Sequence, residues 1–73
     1  MTLTELKFII AVAQERNFRR AADLCFVTQP ALSLGIKKLE QELGISIFER
    51  NRTDVQLTVV GKKIVEQAMK VLD

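Results

Sequence analysis

Residues 28–44 read TQPALSLGIKKLEQELG and carry the start, the body and the end of one amphipathic helix. Thr28 can cap the N-terminus, Pro30 falls in the first turn where its missing N–H is not needed, and Gly44 stands where a left-handed C-terminal residue belongs. These signals predict a helix over about residues 29–43. Its apolar residues recur every three or four positions, so one stripe faces the core, formed by Leu32, Ile36, Leu39 and Leu43.

The opposite face of this helix is polar and cationic apart from one leucine. At about 100° per residue, this face carries Gln29, Pro30, Ser33, Leu34, Lys37, Lys38 and Gln41. The pattern alone favours an ordinary solvated surface, because exposed polar faces are common on helices. The alternative is a face that reads the major groove of DNA.

The residue types on this face suit the major groove chemically. Gln29 can pair with the N6 and N7 atoms of adenine, and Ser33 can bond to a base or a phosphate. Ala31 or Leu34 can contact the methyl group of thymine. Phosphates would be held by the two ammonium groups, those of Lys37 and Lys38.

Capping signals predict two helices before this one. Thr2 and Glu5 form a capping box, and the apolar spacing that follows predicts a first helix over about residues 3–15. Asn17 can cap a second, short helix that ends near Phe26. A short helix joined by a tight turn to the amphipathic helix is a helix-turn-helix, which we place at about residues 18–43.

A hairpin and a last helix are predicted after it. Short apolar runs at 45–48 and 55–57 flank turn-forming residues at 51–54. Thr58 can cap a helix that continues through the remaining residues. The order helix, helix, helix, hairpin, helix describes a mainly α winged helix-turn-helix domain over 1–58, followed by the start of a linker helix at 59–73.

Arginines at the predicted wing have two interpretations. Arg50 and Arg52 match a narrow minor groove, whose negative potential attracts guanidinium groups. Arg50 could instead pair with Glu49 or Asp54. The location of the wing favours a contact between Arg50 and DNA.

The arginines of the second helix are also ambiguous. Arg19 and Arg20 are either phosphate clamps or ordinary surface charges. Asp23 lies about one turn from both, so an ion pair within the helix competes with a phosphate contact. The sequence favours neither interpretation over the other.

Composition argues against several classes of function. The chain of 73 residues has no histidine and one cysteine, so it lacks the usual general base and the clustered ligands of a zinc site. We expect no catalysis, no metal and no cofactor, and we interpret Cys25 as a buried, inert thiol. The longest apolar run, at 8–13, is too short to cross a membrane, and no secretion signal is visible. A cytoplasmic protein is expected.

The last helix carries an apolar stripe that could serve two purposes. It could pack on its own domain, or it could form a two-fold contact with a second copy. The stripe exceeds what a terminal helix of so small a core needs, which favours a homodimer contact through Val60, Ile64, Ala68 and Val71 or Leu72.

Several motifs closely resemble the N-terminal signature of LysR-type transcriptional regulators. The resemblance covers essentially the whole chain and rests on FRRAA at 18–22, VTQPALS at 27–33, IKKLEQELG at 36–44, IFER at 47–50 and LTVVG at 57–61. Residues 18–25 and 65–68 look most like the OxyR-type, peroxide-sensing branch of that family. The resemblance at 28–33 reverses the preference for a merely solvated helix face. It implies that DNA is contacted by Thr28, Gln29, Pro30, Ala31, Ser33 and Leu34.

This resemblance implies a bacterial regulator, located at the nucleoid, whose N-terminal domain binds a two-fold related promoter site in double-stranded DNA as a dimer. It implies a C-terminal effector domain, which we expect to lie outside this chain together with any peroxide-sensing cysteines. The rival interpretation is a winged-helix module that binds proteins and does not touch DNA. A steep fall of affinity with salt would separate the two.

Three positions depart from the family pattern. Leu34 stands where the family often has a polar or basic side chain able to reach DNA. Gly35 weakens the helix, and we interpret it as permitting close approach of the backbone to DNA. The wing arginine of the family more often aligns with Thr53, whereas here Arg52 lies beside that position. We expect DNA contacts at both Arg52 and Thr53.

Overall fold

Four helices make up the described part of the chain, which in this computed structural model comprises residues 1–49 and 54–72. They are α1 (Leu3–Glu15), α2 (Phe18–Leu24), α3 (Gln29–Leu43) and α4 (Val59–Leu72). The predicted bounds of the first and third helices are confirmed. The second helix ends at Leu24 and not near Phe26, because Phe26 has a left-handed backbone with a φ of 58° that an α-helix cannot continue.

Side chains cap the helices as the sequence predicts. The Thr2 hydroxyl accepts a hydrogen bond from the backbone N–H of Glu5 at 3.1 Å, and the Glu5 carboxylate accepts one from the N–H of Thr2 at 3.0 Å. The Thr28 hydroxyl accepts a hydrogen bond from the N–H of Ala31 at 3.3 Å, and Gly44 follows α3 with a φ of 69°. These caps fix where α3 begins and ends.

The apolar stripe of α3 lies at the centre of the core. Leu32, Ile36 and Leu39 have no exposed surface, and Leu43 packs at the margin. Burial of one such side chain stabilises the fold by about 1.5–3 kcal/mol. The inner face therefore fixes α3 on the core, and the outer face is exposed to solvent. Helix α1 contacts the other three helices and supplies the buried Leu6, Phe8, Ile9, Ala11 and Val12.

Gly35 allows α3 to approach α1 closely. A Cβ atom at Gly35 would lie 2.7 Å from Cε2 of Phe8, which is buried on α1. The missing side chain therefore serves the packing of two helices. The interpretation of Gly35 as a point of close approach to DNA is wrong.

The two segments that flank the predicted hairpin turn run antiparallel beside the core. Phe48 and Leu57 form an antiparallel bridge, and the N–H of Glu49 donates to the carbonyl of Gln56 at 2.9 Å. The Phe48 ring is buried and meets Phe18 of α2 edge to face, with centroids 6.0 Å apart. Residues 50–53, which include most of the turn predicted at 51–54, lie outside the described residues.

Candidate nucleic-acid interface

The outer face of α3 is a continuous surface of polar, cationic and small apolar groups. Of the residues that the sequence placed there, Ser33 is half-buried and the others are exposed, namely Gln29, Pro30, Leu34, Lys37, Lys38 and Gln41. Ala31, a further predicted contact, is exposed beside them. Thr28 is exposed at the start of the same surface. The structure therefore brings these predicted contacts together on one side of one helix.

Leu34 stands at the middle of this face. Leu32 and Ile36 are 0% exposed, whereas Leu34, two positions from each, is 61% exposed. Two positions correspond to about 200° around a helix, so Leu34 points directly away from the core. The prediction that Leu34 faces outward is confirmed.

The acidic residues of α3 are engaged away from this face. The Glu40 side chain is buried, and the Glu42 carboxylate accepts a hydrogen bond from the amino terminus at Met1. That hydrogen bond raises the pKa of the Met1 amino group. Within the described part of the chain, neither Lys37 nor Lys38 takes part in an ion pair. The outer face thus presents two ammonium groups that no carboxylate of the described residues neutralises.

Glu40 is a site residue that sequence reasoning missed. Its Oε2 atom accepts hydrogen bonds from the backbone N–H groups of Ile47 at 2.7 Å and Phe48 at 3.3 Å. Glu40 lies one turn after Ile36, on the core side of α3, and that position was the available signal. The contact ties α3 to the segment that leads into the predicted wing.

A groove runs along α3 from Ser33 onward and ends at this segment. Ser46 lines the end of the groove, and its carbonyl accepts a hydrogen bond from the Thr58 hydroxyl at 2.6 Å. The groove is lined by Ser33, Lys37, Glu40, Gln41, Gly44, Ile45 and Ser46. Two predicted contacts, Ser33 and Lys37, therefore border the same depression.

The start of α2 presents two further cations. Arg19 and Arg20 are exposed, and the Asn17 side chain caps the helix by accepting from the N–H of Arg20 at 2.9 Å. Among the residues that the structure describes, Asp23 forms no ion pair with either arginine. Of the two interpretations, the ion pair within α2 is not formed, and the guanidinium groups face solvent. The remaining predicted contacts, Arg50, Arg52 and Thr53, lie outside the described residues.

The stripe predicted on α4 is divided between the core and solvent. Ala68 is 2% exposed within the chain's own core, and Ile64 and Leu72 are partly buried against it. Val60 and Val71 are exposed. Sequence reasoning missed two exposed apolar residues of the same helix, Val59 and Met69.

Other chemistry is sparse in the described residues. Cys25 is half-buried, and burial raises the pKa of its thiol, although the nearby Lys7 opposes the shift. Across residues 1–49 and 54–72, histidine, cysteine and acidic side chains form no group of three that could hold a metal ion. No helix in these ranges has the length and apolar character needed to span a bilayer.

Comparison with known sequences points to one family. The profile described as "Bacterial regulatory helix-turn-helix protein, lysR family" matches residues 3–62. A hydrogen peroxide-inducible genes activator of Pectobacterium carotovorum is 49% identical over 99% of this chain and 24% of the relative. The DNA-binding transcriptional dual regulator OxyR of Escherichia coli K12 is 47% identical over the same shares. The chain thus spans about a quarter of the length of these relatives.

The backbone of this chain closely matches the backbones of solved DNA-binding domains and of a full-length regulator. A full-length OxyR variant from Pseudomonas aeruginosa matches with a TM-score of 0.96 and 61% identity, over 99% of this chain and 24% of that one. The BenM DNA-binding domain on benA site 1 DNA matches with a TM-score of 0.95 and 40% identity, over 99% and 81%. The CbnR DNA-binding domain, also bound to DNA, gives 0.92 and 35%, over 99% and 83%. These likenesses confirm the predicted fold class.

Proposed function

Since the chain belongs to the lysR family of bacterial regulatory helix-turn-helix proteins, we propose that it binds double-stranded DNA in a sequence-dependent way through the outer face of α3. The single observation that carries the proposal is the makeup of that face. It presents ammonium groups at Lys37 and Lys38 that pair with no carboxylate among the described residues, and it adds a half-buried hydroxyl at Ser33 and an amide at Gln29. The acids of α3 are engaged elsewhere.

The DNA complexes of the BenM and CbnR domains support this proposal, because those domains share the backbone of this chain and are bound to DNA. A helix fits the major groove, and its N-terminal residues are the ones that reach base edges in helix-turn-helix proteins. On this basis Gln29, Pro30, Ala31 and Ser33 face bases, whereas the two lysines of α3 contact phosphates.

Further phosphate contacts are proposed at the edges of this surface. Thr28 lies at the helix N-terminus, and Arg19 and Arg20 project from the start of α2 without an ion-pair partner in the described residues. Helix N-termini and guanidinium groups are common phosphate ligands. Minor-groove contacts from the predicted wing are proposed for the arginines and the threonine at its tip, Arg50, Arg52 and Thr53.

A second copy of the chain is proposed to pack against α4, so that two domains bind a two-fold related promoter site. The exposed Val60 and Val71 support this contact, and the partly buried Ile64 and Leu72 border them. Ala68 is enclosed by its own domain and offers almost no surface, so the contact would rest on the other four.

For the whole protein we propose a transcriptional regulator that responds to hydrogen peroxide. The proposal rests on the names of relatives that are nearly half identical to the chain. Peroxide would then be sensed by a part of the protein beyond these residues, and this domain would deliver the output at promoter DNA in the cytoplasm. The chain itself is proposed to act without a cofactor.

The test is selection of duplexes from a random pool at low and at high salt, followed by sequencing of the retained DNA. We expect an enriched motif with two-fold symmetry and retention that falls steeply as salt rises, because displaced counterions drive phosphate binding. Loss of retention at both salt concentrations would contradict the proposal. That outcome would favour a module that binds proteins on the same scaffold.

A further inference from the structure

The outer face of α3 has an apolar centre that phosphate binding does not use. Leu34 is 61% exposed, directly opposite the buried Leu32 and Ile36. An exposed leucine at the middle of this binding face leaves apolar surface in water until something apolar covers it. An inference from this exposure to base recognition rests on the function proposed above.

The neighbours of Leu34 divide this face into two halves. Residues three and four positions apart are adjacent on a helix surface. One turn before Leu34 lie Pro30 and Ala31, and one turn after it lie Lys37 and Lys38, all four exposed. We call Pro30, Ala31 and Leu34 the apolar patch. It occupies the half of α3 nearer the N-terminus, and the ammonium groups occupy the other half.

The apolar patch cannot form side-chain hydrogen bonds, and this limits which base edges it can cover at low cost. It has no hydrogen-bonding side chain, and α3 contains no arginine to read guanine. Purine edges and the amino group of cytosine would lose hydrogen bonds to water when covered by Leu34, which is costly for buried polar groups. The only apolar group that an ordinary base shows in the major groove is the C5 methyl of thymine.

We infer that Leu34 reads the C5-methyl group of a pyrimidine in the major groove, with Pro30 and Ala31 completing the patch around it. The same methyl group is carried by thymine and by 5-methylcytosine. The chemistry of recognition is shared, so methylation of cytosine at this position should substitute in part for thymine. The domain would therefore respond to the methylation state of its site.

The experiment removes and restores this methyl group alone. In a duplex retained by the selection, each thymine is replaced in turn by deoxyuracil, and affinity is measured for the unaltered chain and for Leu34→Ala. We expect at least one thymine whose replacement weakens binding about fourfold, the effect of burying one methylene-sized group. Leu34→Ala should bind the thymine and uracil duplexes equally, whereas Leu34→Met should keep the difference.

A second arm distinguishes the two sources of the methyl group. At the same position, a base pair containing cytosine is compared with one containing 5-methylcytosine. The unaltered chain should bind the methylated duplex about fourfold more tightly, and Leu34→Ala should not. If only the thymine arm responds, the inference fails for 5-methylcytosine, and recognition is confined to thymine.

Leu24→Ala is the matched control, because Leu24 is also an exposed leucine, at 54%, and it lines a separate groove with Lys7 and Phe8. It should leave both methyl effects unchanged. The inference is overturned if no thymine responds to deoxyuracil, or if the effect persists undiminished in Leu34→Ala. Failure to retain any duplex would overturn the proposed function itself, so the two failures are distinguishable.

Discussion

The carboxylate of Glu40 accepts a hydrogen bond from the backbone N–H of Ile47 at 2.7 Å, and this contact joins the C-terminal part of α3 to the segment before the predicted wing. The same oxygen also accepts from the N–H of Phe48 at 3.3 Å. Both N–H groups belong to buried residues, so they depend on this carboxylate for a partner.

Glu40→Ala should lower the free energy of unfolding by about 2–3 kcal/mol, because it leaves buried N–H groups without a charged acceptor. Glu40→Gln keeps an acceptor oxygen and should cost about half as much. Urea unfolding of the three chains measures both. Glu66→Ala, an exposed position on α4, is the control and should change little. Equal stability of Glu40→Ala and the unaltered chain would show that the contact does not support the fold.

Gly61→Ala should destabilise the domain more than any other glycine substitution in the described residues. A Cβ atom at Gly61 would lie 2.1 Å from the carbonyl oxygen of Ile47, and backbone cannot rotate aside as a side chain can. We expect a loss of about 2–3 kcal/mol. A Cβ atom at Gly44 would meet no described atom within 4 Å apart from its chain neighbours, so Gly44→Ala should cost only the strain of its left-handed backbone, about 1 kcal/mol. Thermal or urea unfolding gives the order, and a reversed order would contradict this packing.

Phe26→Gly should stabilise the turn between α2 and α3. Phe26 has a φ of 58° and a side chain that is 95% exposed, so the residue bears backbone strain without burying its ring. Relief of that strain outweighs the added freedom of the unfolded chain and should raise the free energy of unfolding by about 0.5–1 kcal/mol. Phe26→Ala keeps the strain and should be nearly neutral. A loss of stability on Phe26→Gly would mean that the ring makes contacts that stabilise the fold.

The thiol of Cys25 should ionise at higher pH in the folded chain than in the unfolded chain. Burial raises its pKa when folded, so the proton is held more tightly in the native state. The stability that this contributes is present below the pKa of the unfolded thiol and is lost as pH rises through the pKa of the folded one. Alkylation rates from neutral to alkaline pH, with and without urea, measure both values. A folded thiol that ionises first would contradict the interpretation of Cys25 as inert.

The helices and the outer face of α3 could be predicted because their signals are local. Thr28 and Gly44 mark the two ends of one segment, and the spacing from Leu32 to Leu39 sets which side faces the core. The exposure of Leu34 follows from that spacing alone.

Features that depend on tertiary contacts could not be predicted in the same way. The hydrogen bonds of Glu40 go to backbone groups of another segment, and the space beside Gly35 is filled by Phe8 of α1. The burial of Ala68 depends on which side of α4 the rest of the domain covers. An apolar stripe has the same appearance in a sequence whether it packs on its own chain or on a second copy.

Contact between the outer face of α3 and the phosphates of DNA is measured by the salt dependence of binding. The slope of log affinity against log salt should be measured on a retained duplex for the unaltered chain, for Lys37→Ala with Lys38→Ala, and for Lys62→Ala with Lys63→Ala as the control on α4. We expect a slope shallower by about 2 for the α3 variant, because each lost phosphate contact removes about 0.9, and an unchanged slope for the control. Equal slopes for the α3 variant and the unaltered chain would contradict this contact.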